Sequence, residues 1–145
     1  MSKTWILVAH RAGARLFESG GPGMGLRRIE EIPHPEGRLE NKALGSDKPG
    51  RSFDSHGVGR HALGKEHDEA ETVAQAFAHK LAAHLDNARA KNAYTKLVLV
   101  AEPRFLGMLH AALPAHTAAL VSAKVEKDLG HVSDHDLPAH LGNAV

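Results

Sequence analysis

The side chains with the clearest binding chemistry are concentrated in one stretch, GRSFDSHGVGRHALGKEHD, which runs from Gly50 to Asp68. Arginine can donate two parallel hydrogen bonds to phosphate oxygens, serine hydroxyls can add further bonds, and glycines let the backbone approach a partner closely. An aromatic ring in such a stretch could stack on a base or anchor the stretch to the domain. The candidate RNA- or anion-binding residues are Arg51, Ser52, Phe53, Ser55, His56, Arg60 and His61.

Positive charge is also concentrated around this stretch. The whole chain carries a formal net charge of +1, whereas the segment from Gly37 to Lys65 has six basic and three acidic residues and a net charge of +3. Basic loops commonly bind anions. A solvated loop without a partner accounts for the same composition, so both interpretations stay open.

Glycine-rich phosphate motifs are incomplete in this sequence. Residues 59–66, GRHALGKE, follow the phosphate-loop pattern as far as its lysine, but Glu66 stands where a serine or threonine should ligate magnesium. A glycine-rich stretch precedes the motif where a buried strand is required, and the dinucleotide-binding fingerprint lacks its third glycine. We therefore expect no cofactor.

Histidines and acidic residues raise two further hypotheses, a metal site and a hydrolase. The twelve histidines show no metal-ligand spacing, so no metal site is expected. A hydrolase stays open as an alternative, although the sequence has no G-x-S-x-G motif and, without cysteine, no thiol nucleophile. The residues considered for a metal are His56, His61 and His67 in the basic stretch, and His131, His135 and His140 with Asp128, Asp134 and Asp136 near the C-terminus. Those considered for a hydrolase are Ser52, Asp54, Ser55, His56 and His61.

The N-terminal half predicts strands, a long loop and a helix. A chain of 145 residues fits one domain, residues 1–145. Apolar runs predict a hairpin of strands at Trp5–Ala9 and Ala14–Glu18. The spacing of the apolar residues in LRRIEEI, from Leu26, fits a helix better than a strand, but the segment is short and closed by prolines, so a third strand is predicted there. The segment at about 37–67 has no periodicity and is expected to be a long basic, glycine-rich loop. A helix capped by Asp68 then runs to about Lys91, with an apolar stripe of Val73, Phe77, Leu81 and Leu85.

The C-terminal half predicts a βαβ unit. A buried strand at Leu97–Ala101 leads into a helix that begins at Pro103 and is stopped by Pro114. Alternating residues from Ala119 to Val125 predict a half-exposed strand, and Ser133 begins a short final turn. The fold class is therefore α/β, with a mixed sheet made of the N-terminal hairpin and the βαβ unit and flanked by helices.

Location is expected to be cytoplasmic. The apolar run near the N-terminus, Trp5–Ala9, is shorter than the core of a signal peptide, which takes about 7 to 15 residues. No other run is long enough for a membrane span.

Four segments in order resemble the bacterial host attachment family, whose members are described as required for attachment to host cells. They are WILVAHRAGARLFE, DKPGRSFDSHGVGRHAL, LVLVAEPRFLGMLHAAL and VEKDLGHVSDHDLPAHL, which together reach over nearly the whole chain. This resemblance implies a protein or glycan partner in attachment. The family name describes a phenotype and gives no mechanism.

The family is similar in turn to the middle domain of archaeal and eukaryotic class I release factors, an α/β domain with a long loop before a long helix. That similarity implies contact with RNA or the ribosome through Arg51, Arg60 and their neighbours, and the hydrolytic activity of release factors is not expected to accompany it. The Gly-Gly-Gln tip that triggers peptidyl-tRNA hydrolysis in release factors has no counterpart, because the only glutamine is Gln75 and the only glycine pair is Gly20–Gly21.

Overall fold

Five strands form one mixed sheet in the computed structural model. The structure describes residues 3–21, 24–35 and 56–144. Within the last of these ranges it describes the side chains from residue 69 onward, except that of residue 143. The strands are β1 Thr4–His10, β2 Gly13–Ser19, β3 Leu26–Pro33, β4 Lys96–Ala101 and β5 Val121–Glu126. The strand order is β3-β2-β1-β4-β5, and β1 pairs antiparallel with β2 and parallel with β4. Strand β2 pairs antiparallel with β3, and β4 pairs parallel with β5. The predicted hairpin, third strand and C-terminal βαβ unit are confirmed.

Helices cover one face of the sheet, called here the helix side. They are α1 His56–Ala90, α2 Pro103–Ala112 and the short α3 Ala115–Ala118. The apolar stripe of α1 packs with α2 on alternate residues of the central strands, because one face of a strand carries every second side chain. Phe77, Leu81 and Leu85 are all buried, as the periodicity predicts.

Helix α1 begins earlier than its sequence predicts. Its backbone is helical from His56, so the predicted start at Asp68 is wrong and residues 56–67 of the expected loop belong to the helix. Residues 37–55 of that loop lie outside the described residues. The error has two physical sources: residues 56–67 carry no apolar stripe, and their glycines are poor helix formers that remain tolerated in a long helix.

A C-terminal segment, residues 127–144, covers the opposite face and is called here the strap. It contains the short helix α4, Leu137–Leu141, and a final 3-10 turn, Gly142–Ala144. Three buried leucines of the strap pack on the strands, namely Leu129, Leu137 and Leu141. Their partners are Ile6, Val8, Phe17, Val98 and Val100. The sheet is therefore buried on both faces at its centre, which explains the continuous apolar runs of β1 and β4.

Two polar side chains, the buried Tyr94 and the half-buried Asp86, join the C-terminal part of α1 to its surroundings. The Tyr94 hydroxyl donates a hydrogen bond to the Leu85 carbonyl at 2.7 Å, and its ring lies 4.9 Å from that of Trp5. Asp86 accepts hydrogen bonds from the Thr117 hydroxyl at 2.7 Å and from Arg89 at 3.0 Å, and both bonds lower the pKa of Asp86. These bonds fix the C-terminal end of α1 against β4 and α3.

Alkaline pH should weaken the fold through Tyr94. Burial raises the pKa of Tyr94 from 10.0 to about 12, so the folded state holds the phenol proton more tightly than the unfolded chain does. That stabilisation is present below pH 10.0 and is lost as the pH rises toward about 12. Tyr94→Phe should lose about 0.5–1.5 kcal/mol at neutral pH, because the bond to Leu85 disappears, and should show a shallower alkaline loss.

Urea denaturation of both proteins at neutral and alkaline pH measures this difference. Lysines titrate in the same pH range but are common to both proteins, so the comparison isolates the phenol. An equal alkaline loss in wild type and Tyr94→Phe would contradict the assignment.

Candidate functional site

The carboxyl ends of the parallel strands β1 and β4 lie at the same edge of the sheet, and polar residues follow both. His10 and Arg11 end β1, while Glu102 and Arg104 follow β4 at the start of α2. Ligands of open α/β sheets bind at the carboxyl edge. This edge is therefore the candidate functional site of the described residues, and it has a crevice on the helix side and a groove on the strap side.

Two carboxylates that both accept hydrogen bonds, Glu102 and Glu71, line the helix-side crevice. Glu102 caps α2, since its side chain accepts the backbone N–H groups of Phe105 at 2.6 Å and Arg104 at 3.1 Å. The Arg104 guanidinium donates to Glu71 of α1 at 2.7 Å. Arg11 also lines the crevice, whose volume is about 20 Å³. That volume has room for about one water molecule, so the crevice is a structural junction of α1 and α2.

The strap-side groove is much larger, with a volume of about 350 Å³. Its lining includes His10 and Gly13 at the hairpin turn, Arg15, Arg28 and Glu31 on the adjacent strands β2 and β3, and Gly130 of the strap. Small-molecule sites commonly have volumes of about 300–1,000 Å³. The groove therefore has room for a small ligand.

Two lining residues of this groove, Arg15 and Arg28, face Asp134 of the strap, and these three residues are called here the arginine clamp. Arg15 donates to Asp134 Oδ1 at 2.7 Å and to the Leu129 carbonyl at 2.9 Å, and its guanidinium lies 5.8 Å from the Phe17 ring centre. Arg28 Nε lies 3.4 Å from Asp134 Oδ2. Arg15 therefore ties the strap to β2 with charged hydrogen bonds, and Arg28 adds an ion pair from β3.

His10 and Gly130 meet at the other side of the groove. The backbone N–H of Ala12 donates to His10 Nδ1 at 3.2 Å, which in the neutral ring places the proton on Nε2. A Cβ atom at Gly130 would lie 2.9 Å from the His10 ring, so a side chain there would force the strap away from β1. The glycine therefore permits the close contact between strap and strand.

His34 is a second histidine at this edge, and it is buried. Its ring stacks on Phe77 of α1, with ring centres 4.1 Å apart and planes 5° apart. Its backbone N–H donates to the Ala12 carbonyl at 3.0 Å. This histidine closes the core beneath the carboxyl edge.

The structure does not describe the side chains of the residues predicted from sequence as the binding site. Arg51, Ser52, Phe53 and Ser55 lie outside the described residues. His56, Arg60 and His61 lie on the helical backbone of α1, with side chains outside the description. The arginine clamp and His34 were not predicted from the sequence. For His34 the sequence offered one local signal of a special position, its place between Pro33 and Pro35 at the end of a strand.

The described residues contain neither a metal-binding cluster nor a membrane-spanning helix. Within them, no group of three or more histidine, cysteine, aspartate or glutamate residues is arranged to hold a metal ion. Within the same ranges, no helix is both long and apolar enough to cross a membrane.

Comparison with known proteins places the chain in a family. No curated protein matches it. A family model described as "Protein required for attachment to host cells" matches residues 5–141, which is nearly the whole chain. The resemblance seen in the four sequence segments is therefore confirmed. The chain belongs to the host attachment family, and its role is related to attachment to host cells.

Proposed function

We propose that the protein is a cytoplasmic, non-enzymatic binding module that contacts RNA, on the ribosome, through the basic segment from Gly37 to Lys65. The observation that carries this proposal is the charge of that segment, +3 in a chain whose total is +1. Phosphates dominate the affinity of proteins for RNA, and arginines bind them with two parallel hydrogen bonds.

The points at which the basic segment joins the domain support this proposal. His34, just before the segment, is bonded through its backbone to Ala12 at the end of the β1–β2 hairpin. After the segment, Ala70 and Glu71 of α1 line the crevice beside Arg11. Both attachment points therefore lie at the carboxyl edge of the sheet, and the exposed Arg11 adds positive charge to the same edge.

The chemistry of the described crevice supports binding more than catalysis. Glu102 is engaged by two backbone N–H groups and Glu71 by a guanidinium, so both carboxylates act as caps and ion-pair partners. A general acid or base needs a proton-transfer group within reach of a substrate. The crevice, at about 20 Å³, has no room for one.

Replacing Arg51 and Arg60 together with alanine should weaken binding to RNA and ribosomes while the fold is retained. Loss of two phosphate contacts should flatten the slope of log K against log salt by roughly 1.4 for single-stranded RNA. A salt titration of RNA binding measures the slope, and circular dichroism checks the fold.

The matched control removes two positive charges elsewhere, at the exposed Lys80 and Lys91. Lys80→Ala with Lys91→Ala should leave the salt slope close to that of wild type. Lysine at Arg51 and Arg60 should recover part of the affinity, since an ammonium group cannot reproduce the forked guanidinium. Unchanged binding in the double alanine variant would remove phosphate recognition from the basic segment.

A second candidate function, binding of a protein or glycan during attachment, is favoured by the family description. The two candidates differ in where the protein acts. Recovery of the protein mainly outside intact cells, without lysis, would favour the attachment partner, whereas co-sedimentation with ribosomes that is lost at high salt would favour RNA.

A further inference from the structure

The arginine clamp has the geometry of an anion-recognition site that one of the protein's own carboxylates occupies. The two arginines come from adjacent strands and point to the same side of the sheet, where Asp134 of the strap accepts from Arg15 and faces Arg28. Two guanidinium groups around one carboxylate resemble the way proteins hold carboxylate and phosphate ligands.

The two halves of the clamp differ in strength. Arg15 is 11% exposed, bonds Asp134 at 2.7 Å and also holds the Leu129 carbonyl. Arg28 is 47% exposed and lies 3.4 Å from Asp134 through Nε. A dissolved anion therefore meets the Arg28 half of the clamp, which is the half that Asp134 holds more weakly.

Within the described part of the chain, the two terminal guanidinium nitrogens of Arg28 are available to bind an anion. A guanidinium has five N–H donors, and the contact with Asp134 uses the one on Nε. The two terminal nitrogens, which form the fork that binds phosphate oxygens, have no partner among residues 3–21, 24–35 and the described side chains of α1 and beyond. They border a groove of about 350 Å³, which can hold more than a bare anion.

Charge in the groove selects the class of anion. Asp134 and Glu31 balance Arg15 and Arg28, so a singly charged carboxylate would gain little by replacing Asp134. A phosphate monoester carries about −1.5 to −2 charges near neutral pH and three acceptor oxygens. We propose that the strap-side groove binds a phosphate monoester group, which displaces Asp134 from Arg28.

Inorganic phosphate is the first probe, in an NMR titration of the labelled full chain against chloride at equal ionic strength. The amides of Gly13 and Gly130, which line the groove, should shift with phosphate and not with chloride. Arg28→Gln should weaken phosphate binding about tenfold, which corresponds to about 1.4 kcal/mol. The matched control is Arg27→Gln, because its neighbour Arg27 pairs with Glu18 on the helix side and should leave phosphate binding unchanged.

Asp134→Asn separates this proposal from a purely structural ion pair. Removal of the competing carboxylate should tighten phosphate binding about tenfold, whereas loss of a structural tie alone would tighten nothing. The proposal would be overturned if folded Asp134→Asn bound phosphate no more tightly than wild type does. It would also be overturned if Arg28→Gln and Arg27→Gln bound phosphate equally well. If Asp134→Asn does not fold, Arg28→Lys decides, since it keeps the charge and loses the fork; wild-type affinity in Arg28→Lys would overturn the proposal.

Two further probes distinguish the sources of the phosphate group. A nucleoside 5′-monophosphate represents a small metabolite, and RNA with a 5′-phosphate, compared with the same RNA carrying a 5′-hydroxyl, represents a nucleic-acid end. Tighter binding of either phosphorylated probe supports the site and identifies its source, and binding of none overturns it. Phosphate binding in the Arg51→Ala, Arg60→Ala protein should equal wild type, so this test is independent of the proposed function.

Discussion

Replacing Phe77 with alanine is expected to lower the free energy of unfolding by about 3–5 kcal/mol. The Phe77 ring is 1% exposed, stacks on His34 at 4.1 Å and lies 5.9 Å from the ring of Phe105 on α2. Its removal would leave a cavity where α1, α2 and the end of β3 meet, and the rigid sheet beneath cannot close it. Urea denaturation monitored by circular dichroism measures the loss.

The control for Phe77 is His79→Ala, two residues along the same helix and exposed. Surface substitutions away from special features usually change stability by about 0.5 kcal/mol or less. A loss below about 1 kcal/mol for Phe77→Ala would show that the ring is not part of the core.

Leu137→Ala should lower the free energy of unfolding by about 2–5 kcal/mol, because Leu137 is the fully buried leucine with which the strap packs on the sheet. The substitution tests whether the strap unfolds together with the domain. An exposed neighbour, His140→Ala, provides the control. A Leu137→Ala protein with wild-type stability in urea would mean that the strap detaches separately and contributes nothing to the global transition.

The sheet could be predicted from sequence because its residues carry their own signal. A strand buried on both faces reads as a short apolar run, and β1 and β4 both do. In β5 the alternation also holds, with Val121, Ala123 and Val125 half-buried and the residues between them exposed. The final turn begins as expected, since the Ser133 hydroxyl accepts the Asp136 N–H at 3.2 Å.

The start of α1 could not be predicted, because nothing local distinguishes a polar helix from a polar loop. Between His56 and His67 the sequence offers glycines and charges without an apolar stripe, and propensity is a weak guide there. Asp68, the predicted cap, lies inside the helical backbone, and Glu71, three residues later, binds Arg104 on the next helix.

The arginine clamp was beyond sequence reasoning for a different reason. Arg15 and Asp134 are separated by 119 positions, and no spacing rule relates residues so far apart. In the sequence, Asp134 belongs to a histidine- and aspartate-rich cluster that was considered for metal binding. In the structure, its partners are two arginines, one on β2 and one on β3. The basic segment remains the prediction that rests on sequence, and the similarity to release factors remains a prediction as well.

Because β1 lies in the middle of the sheet, the sheet can be completed only late in protein synthesis. During synthesis β1 is made first and can pair at once with β2, but its other neighbour begins at Lys96, which pairs with Thr4. The strap, which covers Ile6 and Val8, is made later still. Apolar surface of the nascent β1–β2 hairpin therefore stays exposed until β4 and the strap have been synthesised. Folding intermediates with such exposed apolar surface are prone to aggregate.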